Sequence, residues 1–232
     1  MNVLAFDTCL GAVSAAARWC AAGGWQLRES YYELSAHHAE QLFHRIAEVM
    51  EGAGLEFSAL DRIAVTVGPG GFTAVRVGVS AARALALATG KPVVATTSLA
   101  VMAHVAEERL VEPLGTRQIM AAVYAGRGAH YVQSFTADTT ATGEPRLLTT
   151  EEAARSIDRH GAILVGTGAV VIADLARKAG GDAEPRFPEV LPHARNLALL
   201  APRLAPVSPL RPLYLRPPDA RLQEGARART PP

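Results

Sequence analysis

Gly68-Pro69-Gly70-Gly71-Phe72-Thr73 is the stretch whose composition bears most directly on chemistry. It follows a β-branched run, Arg62 to Val67, and precedes residues at helical spacing, so its glycines fall where a strand turns into a helix. Unpaired first-turn amides at such a junction suit an anion. The string lacks the Lys-Ser/Thr ending of a phosphate-binding loop, and Thr73 stands where a dinucleotide fingerprint has its third glycine. Three readings stay open: a tight turn needed for packing, a docking role for the helix that follows, and a phosphate site at Gly70 and Gly71. Asp7-Thr8, at the end of the first apolar run, is the second candidate. An acid placed there can organise a metal and a nucleotide phosphate. Such a site also wants glycine and hydroxyls in the turn, where this chain has Cys9 and Leu10 before Gly11. The alternative for Asp7 and Thr8 is a capped strand end.

His37, His38 and His44 open the first long helical stretch, but four residues after His37 comes Gln41, and four after His38 comes Leu42. The one-turn spacing of a helical metal pair is absent, so no metal site is expected. There is no Gly-x-Ser-x-Gly elbow. Cys9 and Cys20 have no neighbouring base or lysine, and two cysteines make neither a disulfide framework nor a zinc site. Both fit a reducing cytoplasm. The chain of 232 residues carries 23 basic and 22 acidic side chains, a net charge of +1. No global field therefore draws in nucleic acid or an anionic membrane. With 49% hydrophobic residues the chain can bury a sizeable core. Asp7 interrupts the apolar start, which argues against a signal peptide. Gly90-Lys91-Pro92 cuts the apolar run from Ala84 to Val105, so no transmembrane helix is expected.

The elements that must position these residues read as follows. Val3–Phe6, Ala12–Trp19 and Trp25–Ser30 form an antiparallel meander. Ala39, Leu42, Phe43, Ile46, Val49 and Met50 then fall at helical spacing, with Ser35 as N-cap and Gly52 or Gly54 as stop. After the strand at Arg62–Val67, a second helix runs from Phe72 to Thr89 and closes at Gly90. Val93–Ala95 is a strand, and Ser98 caps a helix to about Arg109. A break around residues 112–115 opens a second half. There Ile119–Tyr124 and His130–Phe135 flank a turn at 125–128, and Thr149 with Glu152 makes a capping box opening a helix to His160. A strand at Ile163–Val165 ends in Gly166-Thr167-Gly168 before a helix to about Lys178. We expect a first lobe over residues 1–110, a smaller lobe over 111–209, and a Pro- and Arg-rich, partly ordered tail over 210–232. Arg211, Arg216, Arg221, Arg227 and Arg229 against Asp219 and Glu224 make that tail basic, which suits either a solvated end or a contact with RNA backbone. The order implies an α/β fold of two mixed sheets with helices on both faces.

In order, Leu4-Ala5-Phe6-Asp7-Thr8, His38-Ala39-Glu40 and Gly68-Pro69-Gly70-Gly71-Phe72-Thr73-Ala74-Val75-Arg76-Val77-Gly78 resemble the TsaB family, as do Ser98-Leu99 and Tyr214-Leu215-Arg216. The match covers about the first hundred residues well, and the string from Gly68 is its most specific part. The chain departs from the family at Cys9, Ala39, Gly71 and Ala74, and at Tyr124-Ala125-Gly126-Arg127-Gly128, where relatives tend to read Asp-Ala-Arg-Arg-Gly. The resemblance implies a two-lobed fold of the actin, sugar kinase and heat-shock ATPase type (ribonuclease H-like). It implies a non-catalytic scaffold subunit that pairs with a TsaD-type catalytic paralogue and recruits a TsaE-type ATPase. Together these place a threonylcarbamoyl group on a tRNA adenosine beside the anticodon. ATP and metal then belong to the partner subunits, and tRNA is reached only through the complex. Docking would use the two first-lobe helices, through His38, Leu42, Phe43 and Ile46 on one and Phe72, Val75, Arg76 and Val79 on the other. Each helix carries apolar residues on more than one side, so we expect a surplus stripe that a partner, or a second copy of the chain, would cover. The rivals are an actin-like small-molecule kinase or ATPase, resting on Asp7-Thr8 and Gly166-Thr167-Gly168, and a metallopeptidase, resting on an old glycoprotease label of relatives.

Overall fold

Alternating side chains and tight turns make the opening an antiparallel meander of β1 (Val3–Asp7), β2 (Ala12–Ala21) and β3 (Gly24–Glu33). The protein is described here by a computed structural model covering residues 1–33 and 38–216. α1 (His38–Ala53), β4 (Arg62–Thr66), α2 (Phe72–Thr89), β5 (Val93–Thr96) and α3 (Ser98–Arg109) follow. β4 lies parallel to β1, and β5 parallel to β4, giving the order β3-β2-β1-β4-β5. β1 is buried along its whole length, as a central strand covered on both faces must be. Its alternate residues serve two cores. Leu4 and Phe6 join Leu42, Ile46, Val49, Val75 and Val79 of α1 and α2, while Val3 and Ala5 face the other way, toward Val101 of α3 and a helix from the far end of the chain.

The second half repeats this plan. β6 (Gln118–Gly126), β7 (Ala129–Phe135) and β8 (Arg146–Thr149) form a meander, and β9 (Ala162–Val165) and β10 (Ala183–Pro185) add in parallel beside β6. The order is again meander, first strand, two parallel strands. α4 (Thr150–Arg155) and α5 (Ala169–Lys178) cover one face, and α3 covers the other through Leu99, Met102 and Ala106. α3 and α6 (Ala194–Leu200) thus form a middle layer between two duplicated sheets.

Several expectations need correction. The N-cap of α3 is Thr97, whose hydroxyl accepts the Ala100 amide at 2.9 Å, whereas Ser98 is the first helical residue and donates its hydroxyl to Pro69 O at 2.6 Å. The Thr149/Glu152 capping box is present, but α4 stops at Arg155 rather than His160. The expected boundary at 209 does not separate two lobes. α6 belongs to the first sheet, where Ala194, Leu197 and Ala198 pack on Val3, Ala5 and Ala16. The Ala194 amide also donates to Ser14 Oγ at 3.0 Å. Nor is the start of the tail loose. The Val207 amide donates to Val93 O at 2.9 Å, the Leu213 amide to Val67 O at 2.7 Å, and Leu210 is buried. Ser35, His37 and residues 217–232, with Arg221, Arg227 and Arg229, lie outside the described residues. By length and composition α2 could cross a bilayer, but here its buried face packs on the first sheet.

Candidate functional site

The glycine-rich loop and the Asp7-Thr8 turn come together, and each fills the space in which the other would hold a phosphate. Gly71 donates its amide to Cys9 O at 2.9 Å. A Cβ on Gly70 would overlap that same carbonyl, so only glycine allows the approach. Thr8 is 1% exposed and donates its hydroxyl to Ala74 O at 2.6 Å. Gly78 stays open below it, since a Cβ there would sit 2.7 Å from Thr8 Oγ1. Asp7 is also 1% exposed and accepts from the Thr66 hydroxyl and, at 3.2 Å, from the Cys9 amide. Burial pushes its carboxyl from 3.8 up to about 6, even though those hydrogen bonds pull the other way. The Cys9 thiol is buried against Thr66, and burial pushes it well above its ordinary range, so it is no nucleophile. The phosphate reading of Asp7, Thr8, Gly70 and Gly71 is therefore corrected. Their polar groups are spent on one another, and the packing-turn reading fits.

The docking residues divide. Leu42, Ile46, Val75 and Val79 are 0–2% exposed and belong to the core, so the expected outward position of Val79 is overturned. The reason is packing that a single-helix view misses. α1 lies against both the sheet and α2, and Leu60 and Leu210 close the rim, so one helix buries two stripes at once. His38 begins α1, and its side chain is outside the described residues. Phe43, Phe72 and Arg76 do face outward. Beside Phe43, which is 52% exposed, the outer surface of α1 carries exposed Ala47, and that of α2 carries Ser80, Ala84 and Leu87. With exposed Glu40, His44 and Arg83 beside them, these make a mixed surface in which the small residues leave room for a second helix to approach.

Sequence reasoning gave the last residues no structural role. Arg76 lies with its guanidinium carbon 3.7 Å from the Phe72 ring centroid and donates from Nε to the Tyr214 hydroxyl at 2.9 Å, while Phe72 and Tyr214 rings sit 4.9 Å apart. Arg83 donates from Nε to Leu210 O at 3.1 Å. Arg216 reaches the β6–β7 hairpin, donating to Ala125 O at 2.6 Å and Gly126 O at 3.0 Å. Residues 210–216 thus run from α2 to the hairpin of the other lobe. The Tyr214-Leu215-Arg216 string was the available signal. Among the described residues, no three His, Cys, Asp or Glu side chains converge in a way that could hold a metal ion.

Two duplicated mixed sheets in this strand order, with helices outside and between, define a two-lobed chain of the actin and ribonuclease H-like type. A model of the family described as TsaD, tRNA N6-adenosine threonylcarbamoyltransferase, matches residues 32–201, and the chain belongs to that family. The tRNA N6-adenosine threonylcarbamoyltransferase of Geobacillus thermodenitrificans is 48% identical over 77 residues, 33% of this chain and 22% of its own length. That of Anaeromyxobacter dehalogenans strain 2CP-1 is 34% identical over 167 residues, 70% of this chain and 48% of its own. The chain therefore spans only part of the curated relatives it matches. Against YeaZ from Pseudomonas aeruginosa the likeness runs end to end, with a TM-score of 0.77, 26% identity, 92% of this chain and 99% of that one. A second Pseudomonas aeruginosa structure, described as similar to peptidase YeaZ, gives 0.76, 26%, 93% and 99%. The resemblance to the TsaB type read from the motifs is borne out.

Proposed function

We propose that this chain is a non-catalytic subunit that docks a TsaD-type catalytic paralogue through the outer face of α1 and α2, and so supports threonylcarbamoylation of a tRNA adenosine beside the anticodon. The observation that carries the reading is the mutual occupation of Asp7-Thr8-Cys9 and Gly70-Gly71, because the site that could hold a phosphate in this fold is packed shut by the chain's own carbonyl. The likeness to YeaZ over 92% of this chain, at 26% identity, supports the same reading. Phe43, Ala47, Ser80, Ala84 and Leu87 offer the helix face for the paralogue. A TsaE-type ATPase would join the pair. Alone, the chain would hide this face in a homodimer. ATP and metal would be supplied by the partners, and the cytoplasm, where tRNA is modified, is the expected location.

Co-purification with the paralogue, followed by a tRNA modification assay with and without this chain, tests the proposal. Capture through α1 and α2 with modification that depends on the added chain is the expected result. Modification at full rate without it, or turnover of ATP or a peptide by the lone polypeptide, defeats the reading.

A further inference from the structure

The chain as a whole is nearly neutral, yet four arginines gather along one line. Arg83 and Arg211 flank Leu210, Arg76 meets Tyr214, and Arg216 follows two residues on. Among the described residues none of these four makes an ion pair, whereas Arg45, Arg109, Arg117, Arg177, Arg186 and Arg195 each have a carboxylate partner. Gathering unneutralised guanidiniums costs self-repulsion, which a polyanion would relieve. Several are also held in place. Arg76, exposed as a residue, is fixed through Nε and by the Phe72 ring, and Arg216 is fixed to hairpin carbonyls. A held guanidinium loses less entropy on meeting a phosphate than a free side chain does. Between the cations stand Phe72, 37% exposed, and Tyr214, 40% exposed. Alternating cations and exposed rings along an extended segment match a nucleic-acid backbone with accessible bases.

We infer that residues 210–216, with Arg76 and Phe72 of α2, form a contact strip for the sugar-phosphate backbone of the tRNA on which the complex acts. This rests on the proposed function for the identity of the polyanion, and it changes the expectation that tRNA is reached only through the partners. Phe72, Arg76 and Arg83 share an exposed stripe of α2 with Ser80 and Leu87, so the strip borders the docking face, and Arg211, which lies beyond the helix, is the residue that separates RNA contact from docking.

Fluorescence anisotropy with a labelled full-length tRNA transcript tests it, using the full chain alone and in complex with the paralogue. Arg211→Gln and Arg76→Gln should each weaken binding about 3- to 10-fold at low salt and reduce the slope of log affinity against log salt by about one. Melting temperatures and paralogue capture by Arg211→Gln should stay at wild-type values. Unchanged affinity in both variants, with capture intact, overturns this inference and leaves the docking reading standing. Binding through the strip by a chain that never captures the paralogue defeats the docking reading alone. Loss of capture in Arg211→Gln with tRNA affinity unchanged would assign the strip to an acidic protein surface and overturn the RNA contact.

Discussion

Val79 and Ser80 are consecutive on α2, yet one is sealed in the core at 1% exposed and the other faces outward. Val79→Glu should therefore bury an unpaired carboxylate among Leu4, Phe6 and Val75 and cost about 4 kcal/mol or more, read as a collapse in thermal denaturation. Ser80→Glu should keep the wild-type melting temperature and lose paralogue capture. Asp7 carries a second prediction. Its carboxyl, ordinarily near 3.8, titrates near 6 in the folded chain because it is buried, so the folded state holds the proton more tightly than the unfolded one. The resulting stability is fully present below pH 4 and is lost as pH rises through 6, a swing of roughly 3 kcal/mol. Urea denaturation at pH 4 and pH 7 should show wild type losing stability relative to Asp7→Asn over that window. A constant difference between the two proteins would refute the assignment. Side-chain roles were only half legible from residue types. Asp7-Thr8 was visible as a polar end to an apolar strand, but that Cys9 O takes the Gly71 amide depends on two loops about sixty residues apart, which no local pattern encodes.

Periodicity served the elements well where they were long. α2 and α5 were read with the ends they have, because sustained helical spacing and, for α2, the left-handed Gly90 are local properties. The short pieces escaped. α6 has seven residues and no side-chain cap, and is held by tertiary contacts rather than by its own sequence. Thr97 and Ser98 are both N-cap residue types, and only the Thr97 hydroxyl meets the Ala100 amide. Thr97→Ala should therefore cost about 1 kcal/mol, and Ser98→Ala should be felt instead through its lost bond to the Pro69 carbonyl. Comparison of the two by chemical denaturation, with amide exchange at Ala100, checks the distinction. Early exchange of Ala100 only in Thr97→Ala is the expected result.

For the whole molecule, duplication of one sheet plan was legible from the repeated order of strands and helices. The surplus apolar surface was not, because it presupposed that each helix meets one neighbour. Leu42, Ile46, Val75 and Val79 are covered by the chain itself, which leaves Phe43 and Leu87 among small side chains as the outward face. Light scattering of the lone chain should therefore find a weak dimer that dissociates on dilution. Ala84→Glu should make it monomeric at all concentrations without changing its melting temperature. The placement of α6 has a further consequence, during synthesis. The helix that closes over Val3 and Ala5 of β1 is encoded nearly two hundred residues after that strand. A growing polypeptide must therefore carry one side of β1 only partly covered, by α3, until α6 has been made. Ribosome-bound intermediates ending before α6 are where holding chaperones should be found.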